Sequence, residues 1–436
     1  MTPYPEYIAT SLPWLPQIPV HWEIVRAKQI FSPIDIRSEK GEEQLLSVSE
    51  RYGVVKREHA NVTMFQAASY EGYKLCWPDD LAINSLWAWS YGLGFSPYHG
   101  IISTAYSVFR LKDKTQCLPR FYDYFVRGKN FHWELRVRSK GLWKSRYQLS
   151  DDAFLAAPML FAPINEQEQI VRYLDSMTAK INKLIRAKKK QIALLQEQKQ
   201  AIINQAVTKG LNPNAEMKDS GIDWLGQIPA HWEVKKAKYC VNINHGSDPV
   251  TEGNVPVYGS GAGSFKTCGE FKEGPAVLVG RKGATLHIPH YITGKYWNVD
   301  TAFDVKAKKN FFLHFYYFLA TCFDYHFYIS QTTLPSMTQT DYLNMKLPVP
   351  PQKEQYDIIQ YLVMQDEKFD NLITEIKNII NSLFEYKNSL IACVVTGQVD
   401  VRNIQVEDFD PADLISETDD DPAEDDDQLQ EESEVE

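Results

Sequence analysis

"WLPQIPVHWE" at residues 14–23 returns as "WLGQIPAHWE" at residues 224–233. The phrase is one end of a larger repeat. "EQEQIVRYLDSMTAKINKLIRAKKKQIALLQEQKQAIINQAVT" (166–208) aligns without gaps to "EQYDIIQYLVMQDEKFDNLITEIKNIINSLFEYKNSLIACVVT" (354–396). The phrase recurs at an offset of 210 and the long segment at 188, so the second copy has 22 fewer residues between them. Each copy therefore reads as a phrase, a globular segment and a long helix, with the globular segments differing in length and sequence. A fixed frame around variable contents is an internal repeat.

Neither long segment contains Gly or Pro. Apolar residues recur at spacings of four and three: Ile170, Leu174, Met177, Ile181 and Leu184, then Leu195 and Ile202. The second set is Ile358, Leu362, Phe369, Leu372, Ile376, Ile379, Leu383 and Leu390. This pattern predicts two helices with heptad seams, started by Pro163 and by Pro350-Pro351. Each would be a rod of about 60 Å whose narrow apolar stripe needs a partner. Residues 166–207 carry eight bases and four acids, whereas residues 354–395 carry three bases and seven acids. Self-association would oppose like charges, and pairing the two helices within one chain complements them. The connecting residues 208–230 are rich in turn formers and span at most about 75 Å. A parallel pair would stretch them straight, so an antiparallel pair is expected, with a globular segment at each end and an internal pseudo-twofold.

The 436 residues are 44% hydrophobic and 13% aromatic, enough for two or three cores. No apolar run reaches the length of a membrane span, and the N-terminal residues do not read as a secretory leader, so a cytoplasmic chain is expected. Six cysteines (76, 117, 240, 268, 322 and 393) are scattered without a C-x-x-C pair, which predicts free thiols and no metal site. The net charge of −10 is misleading, because residues 407–436 hold 16 acids and no base. The other residues hold 40 acids against 46 bases and are mildly basic. A tail over 403–436 is expected to be disordered.

Both globular segments read as mixed α+β. Strand-like runs include "LLSVS" (45–49), "LAIN" (81–84) and "IISTAYSVFRL" (101–111), then "VPVYGSG" (255–261) and "AVLVGRKGATLHI" (276–288). "YGSGAG" (258–263) has glycines at G-x-G-x-G spacing and reads as a tight turn, not a phosphate loop. "GRKG" (280–283) presents two cations on an unhindered turn, suited to phosphates or guanine edges, or simply to solvent. In the first segment "NSLWAWSYG" (84–92), "HGIISTAY" (99–106) and "RVRSKG" (136–141) combine amide, hydroxyl, aromatic and cationic groups near strand ends. Trp87 and Trp89 are expected in the core more than at a contact surface. "RAKKK" (186–190) is a solvated helix face or a contact for nucleic-acid backbone. The chain has no Asn/Asp-Pro-Pro-aromatic loop, Walker motif, H-E-x-x-H or nuclease cluster, so no catalytic residue and no metal ligand is expected.

These motifs together resemble a known family. "AVTKGLNPNAEMKDSG" (206–221), running into "KDSGIDWLGQIPAHWE" (218–233), then "VYGSG", "VLVGRKG", "TLPSMTQTDYL" (333–343) and "LPVPPQKEQ" (347–355), make the chain similar to the specificity subunits of type I restriction–modification systems. The first copy departs from the pattern in having Pro16 where the second has Gly226. The resemblance implies an α+β chain with target-recognition domains at 1–163 and 231–350. Spacer helices would lie at 164–208 and 351–397, with a linker and the repeated phrase at 209–230. It further implies that each domain reads half of a bipartite, asymmetric site in double-stranded DNA. Candidate DNA-contacting residues are Asn84, Trp89, Ser103, Tyr106, Arg136, Arg138 and Lys140 in the first domain. In the second they are Tyr258, Ser260, Lys266, Arg281, Lys282 and Gln339. The chain would bind no cofactor itself. Two methyltransferase subunits would bring S-adenosylmethionine for adenine methylation, and restriction subunits would bring ATP and Mg2+ chemistry. A reading from another class is a coiled-coil scaffold whose two globular ends bind proteins.

Overall fold

The computed structural model describes residues 2–50, 52–59, 69–141, 147–261, 263–325, 328 and 335–414. They form two compact units, one of residues 1–189 with 378–436 and the other of residues 190–377. The long helices are Ile164–Lys209 and Gln352–Val395, so each contributes to both units.

Each unit is built on the same frame. In the first, the strand Glu23–Arg26 leaves the repeated phrase and pairs antiparallel with Pro158–Phe161, the strand that leads into the first long helix. In the second, Glu233–Lys236 pairs with Lys346–Val349 ahead of the second long helix. The phrase and the start of its own helix are thereby side by side, although far apart in sequence. Within the first unit a four-stranded sheet has the order Phe31–Ile34, Tyr106–Leu111, Asp80–Asn84, Leu93–Phe95. The second unit repeats that order as Val241–His245, Ala302–Ala307, Ala276–Gly280, His290–Ile292. All neighbours in both sheets are antiparallel. The central strands DLAIN and AVLVG are buried throughout, as sheets covered on both faces require. The second unit's small sheet of Ser264–Cys268, Val255–Tyr258, Lys295–Asn298 and Lys272–Glu273 also has its counterpart in the first, where the hairpin Leu46–Ser49/Gly53–Lys56 meets the antiparallel pair Lys74–Cys76/Gly100–Ile102 through a parallel bridge between Leu45 and Ile101.

Within each unit the two long helices run antiparallel. Lys387 Nζ donates to Asn182 Oδ1 at 3.2 Å in the first unit. In the second, Lys199 sits between Asp366 (2.8 Å) and Asp370 (2.7 Å), the charge complementarity expected from composition. The buried stripe differs from a strict heptad. Leu184, Leu372 and Ile379 are exposed, and their neighbours Ile185, Ile373 and Ile380 are buried in their place. Ile170 to Ile181 and Phe369 to Ile380 each advance 11 residues over three turns, close to 3.6 per turn, so a straight helix drifts off the 3.5 repeat.

The C-terminal segment corrects a second expectation. Residues 403–414 lie along the first long helix instead of being disordered. Gln169 Nε2 donates to the carbonyls of Val401 and Ile404 (2.9 and 2.7 Å), Ser176 Oγ to that of Glu407, and Asn182 Nδ2 to those of Asp413 and Leu414. Lys180 pairs with Glu407 and Arg186 with Asp413. The basic helix supplies donors that a composition argument does not weigh. The remainder of the expected tail, 415–436, lies outside the described residues.

Candidate nucleic-acid interface

The repeated phrase has a defined structural task. Pro19 O accepts from Trp22 N, and Pro229 O from Trp232 N, at 2.9 Å each, closing a β-turn over I-P-x-H-W. That turn aims His and Trp at one carboxylate in the first turn of the following long helix. His21 Nε2 and Trp22 Nε1 donate to the two oxygens of Glu166 at 2.6 and 3.0 Å. His231 and Trp232 do the same to Glu354 at 2.6 and 2.8 Å. The next residue, Gln167 or Gln355, accepts from the backbone N of Leu118 or Phe312 (2.9 Å each) and donates to the carbonyl of Ala162 or Pro350. The E-Q pair thus pins phrase, globular segment and helix together. Trp22 and Trp232 are buried. Each also packs on a glycine at a helix C-terminus, Gly397 and Gly210 respectively, whose φ near +70° suits the end of a helix. Where the second phrase has Gly226 at φ +60°, Pro16 cannot adopt positive φ, so the turn there differs.

On this frame, the loop after the buried strand Ala276–Gly280 carries the two cations of GRKG. Gly280 has Leu286 Cα only 2.3 Å from where a Cβ would sit, and Gly283 has φ +113°, so neither position accommodates a side chain without strain. Arg281 N donates to Thr301 O (2.7 Å), Met337 N to Arg281 O (2.9 Å) and Gly283 N to Pro335 O (3.0 Å). Arg281 Nη1 donates to Asp300 O at 3.2 Å. The Asp300 carboxylate lies 3.7 Å from Arg281 and 3.9 Å from Lys282, too far to neutralise either fully. Ser260 Oγ lies against Gly283, and Tyr258 O accepts from Val299 N. Tyr258, Ser260, Arg281 and Lys282 therefore form one cluster, joined by Asp300, Thr301 and Ser336, which sequence reasoning did not single out.

Two other expected residues lie off this cluster. Lys266 is on the exposed strand Ser264–Cys268, with its Nζ 5.5 Å from the Phe265 ring. Gln339, beginning the short helix Gln339–Asn344, donates to Ile243 O. It lines a groove of about 430 Å³ with Lys238, Asn242, Asn244, Lys306 and Lys308.

In the first unit, Asn84 ends the buried strand and donates to Tyr106 Oη at 3.2 Å. Ser103 O accepts from Tyr106 N. Trp89 Nε1 donates to Leu86 O, and His132 Nε2 donates to Trp89 O at 2.5 Å. His132 stacks on Tyr91 with ring centroids 4.1 Å apart. Arg136 is exposed and its charge acts on both Tyr91 and His132. Lys140 forms a backbone bridge with Gln148, next to Leu149, which donates to Ser85 O. Arg138 is engaged differently. It pairs with the buried Glu134 at 2.6 Å, and Trp14 of the phrase donates to the same carboxylate at 2.7 Å, so it braces the frame. Trp87 and Trp89 are not core residues as expected. Trp87 is 42% exposed and Trp89 partly so, because the loop turns back on Gly92 and leaves them outside.

No helix among the described residues is long and apolar enough to cross a membrane. The described residues also contain no group of three or more His, Cys, Asp or Glu able to hold a metal.

Comparison with known proteins agrees with this architecture. Residues 229–383 match the family model described as type I restriction modification DNA specificity domain. A curated relative, the Type I restriction enzyme MjaVIII specificity subunit of Methanocaldococcus jannaschii, is 26% identical over 148 residues, which is 34% of this chain and 32% of the relative. The match thus spans about a third of that relative. A solved chain, described for complex assembly and conformational transition of the type I R-M system, superposes with a TM-score of 0.65 at 15% identity, covering 88% of this chain and 99% of that one. The HsdS subunit from Thermoanaerobacter tengcongensis gives a TM-score of 0.46 at 14% identity, covering 88% and 98%. The resemblance to a type I specificity subunit drawn from the sequence holds, and the first unit repeats the frame of the matched domain.

Proposed function

We propose that the chain is the subunit that gives a type I restriction–modification complex its DNA sequence specificity. One observation carries the reading: the same sheet order and the same His–Trp–Glu clamp occur twice, while the loops mounted on them differ. Two unlike readers on one repeated frame suit a bipartite, asymmetric site in double-stranded DNA, in contrast to the palindromes of homodimers. Cations on a rigid turn supply phosphate and base contacts in the second unit. The chain itself performs no catalysis. Two methyltransferase subunits bring S-adenosylmethionine and flip the target adenine, and restriction subunits add ATP- and Mg2+-dependent cleavage in the cytoplasm. Partner docking is supported by an apolar stripe on the second helix, where Met364, Leu372, Ile379 and Tyr386 are all exposed.

The test is genomic. In cells expressing this chain with the methyltransferase encoded beside it, methylated adenines should map to one two-part motif with unlike halves. The purified chain alone, incubated with labelled S-adenosylmethionine and DNA, should incorporate no label. A single continuous motif, or none, would overturn the reading, and a chain that binds only proteins would show it to be a scaffold.

A further inference from the structure

Resting on that reading, the repeated sheet identifies what the first unit uses in place of GRKG. In both sheets the strand next to one edge (Asp80–Asn84, Ala276–Gly280) is buried throughout, and the chain then makes a loop before returning as the edge strand (Leu93–Phe95, His290–Ile292). The loop in the second unit begins with Arg281 and Lys282. Its counterpart at 85–92, "SLWAWSYG", has no charged residue at all.

That loop is built to hold its aromatics out. Trp87 N donates to Asn84 O, while Trp87 O accepts from Ser90 N and Gly92 N (2.9–3.0 Å). A Cβ on Gly92 would lie 2.8 Å from Trp87 O, so only glycine lets the loop close this tightly. Trp87 and Trp89 stack at 5.7 Å and 25°. His132 fixes the carbonyl of Trp89 from the helix Lys129–Arg138, which exposes Trp133 and Val137 one turn apart. A rigid turn that leaves a tryptophan 42% exposed forgoes burial that a looser loop could recover. The neighbouring segment is cationic: residues 127–141 include five Lys or Arg and one acid, Glu134, whose charge Arg138 takes up, while Glu50 accepts from Ser90 Oγ of the loop at 3.0 Å.

We infer that Trp87 is a DNA-contacting residue of the first unit, presenting an aromatic face that stacks on a nucleobase or wedges into a base step, at the position where the second unit presents cations. The basic segment holds the backbone, and the stacked Trp87–Trp89 pair supplies the flat apolar surface.

The test uses the full-length chain and a duplex that the wild-type chain enriches from a random library. Trp87→Ala should weaken binding of that duplex about tenfold or more, and Trp87→Phe should keep most of the affinity. With 2-aminopurine placed successively through the half-site that survives Arg281→Ala unchanged, one position should change fluorescence on binding wild type and not on binding Trp87→Ala. Equal affinity and the same fluorescence profile for Trp87→Ala would overturn this inference and leave the DNA reading intact. Equal losses for Ala and Phe would exclude stacking. Loss of a co-purifying protein with DNA affinity unchanged would make the patch a protein-docking surface and also overturn it. Failure of the wild-type chain to enrich any duplex would overturn the DNA reading itself.

Discussion

On the proposed reading, residues that differ between the repeats discriminate between DNA sequences, while the recurring His, Trp and Glu hold the frame together. Arg281 and Lys282 share one half-exposed Asp300 at 3.7 and 3.9 Å, so one carboxylate faces two cations. Arg281→Ala is expected to cost about 1–3 kcal/mol in specific binding and to relax one position of the second half-site if it reads a base. A phosphate-only contact would instead lower affinity evenly and flatten the dependence on salt. Unchanged affinity in the double alanine variant removes the loop from the interface. Histidine offers a different readout. His132 stacks on Tyr91 and His314 on Tyr291, with centroids 4.1 and 4.3 Å apart. Burial holds both below the ordinary value of 6.5; the Trp89 carbonyl opposes this for His132 and Asp366 for His314. As pH falls below about 6.5, the unfolded chain takes up these protons before the folded one. The stability the pair contributes is therefore full above that pH and declines below it, until the folded imidazoles titrate too. Melting curves of His132→Phe/His314→Phe should show a flatter acid limb between about pH 7 and 5 than wild type. An unchanged slope would show that these rings do not govern it.

At the scale of elements, the clamp between phrase and helix is equal in plan and unequal in burial. Glu166 is 6% exposed and accepts from Tyr4 Oη (3.0 Å), His21 and Trp22, with Arg402 at 3.9 Å. Burial, together with the charge of Glu166, drives the Tyr4 phenol above its ordinary range. Glu354 is 38% exposed and accepts from His231 and Trp232 alone among the described side chains. Glu166→Ala strands several buried donors and is expected to cost about 3 kcal/mol, against about 1 kcal/mol for Glu354→Ala. Urea unfolding of the full chain decides this, and equal losses would mean that burial does not set the strength of the clamp. The helices were legible in sequence from their period and the absence of Gly and Pro. Their contact stripe was only partly so. Leu184, Leu372 and Ile379 fit a heptad on paper, yet the true seam passes through Ile185, Ile373 and Ile380, because phase drift accumulates where no partner is visible in the sequence.

In the whole molecule, the N-terminal residues meet the segment that follows the second long helix, within the first unit. Thr2 bridges Asp400, Tyr7 Oη donates to Gly397 O (3.1 Å), and Gln398 Nε2 donates to Gln17 O (2.9 Å). In the second unit, continuous chain fills the corresponding place: Gly210 follows the first long helix, and Met217–Asp219 pairs with Gln227–Pro229 of the phrase. In the first unit, residues 403–414 then continue along the first long helix. A chain ending at Leu414 is therefore expected to melt like the full chain, whereas one ending at Arg402 should lose about 1–3 kcal/mol. Equal melting of all three would show that the strap contributes nothing to stability.

The sequence by itself determined the repeat, the two long helices, the sign of their charge complementarity and the resemblance to a type I specificity subunit. Each of these rests on local periodicity, composition or a contiguous motif, and needs no knowledge of what folds against what. Tertiary structure alone decided that the repeated His and Trp grip the carboxylate of Glu166 or Glu354. It also decided that Arg138 braces Glu134 instead of facing outward, that Trp87 stands outside the core, and that an acidic segment lies along a basic helix. Those outcomes depend on which strands pair across more than a hundred residues and on how tightly a loop closes over Gly92. The energy of such contacts is set by partners distant in the chain, so no window of sequence contains it.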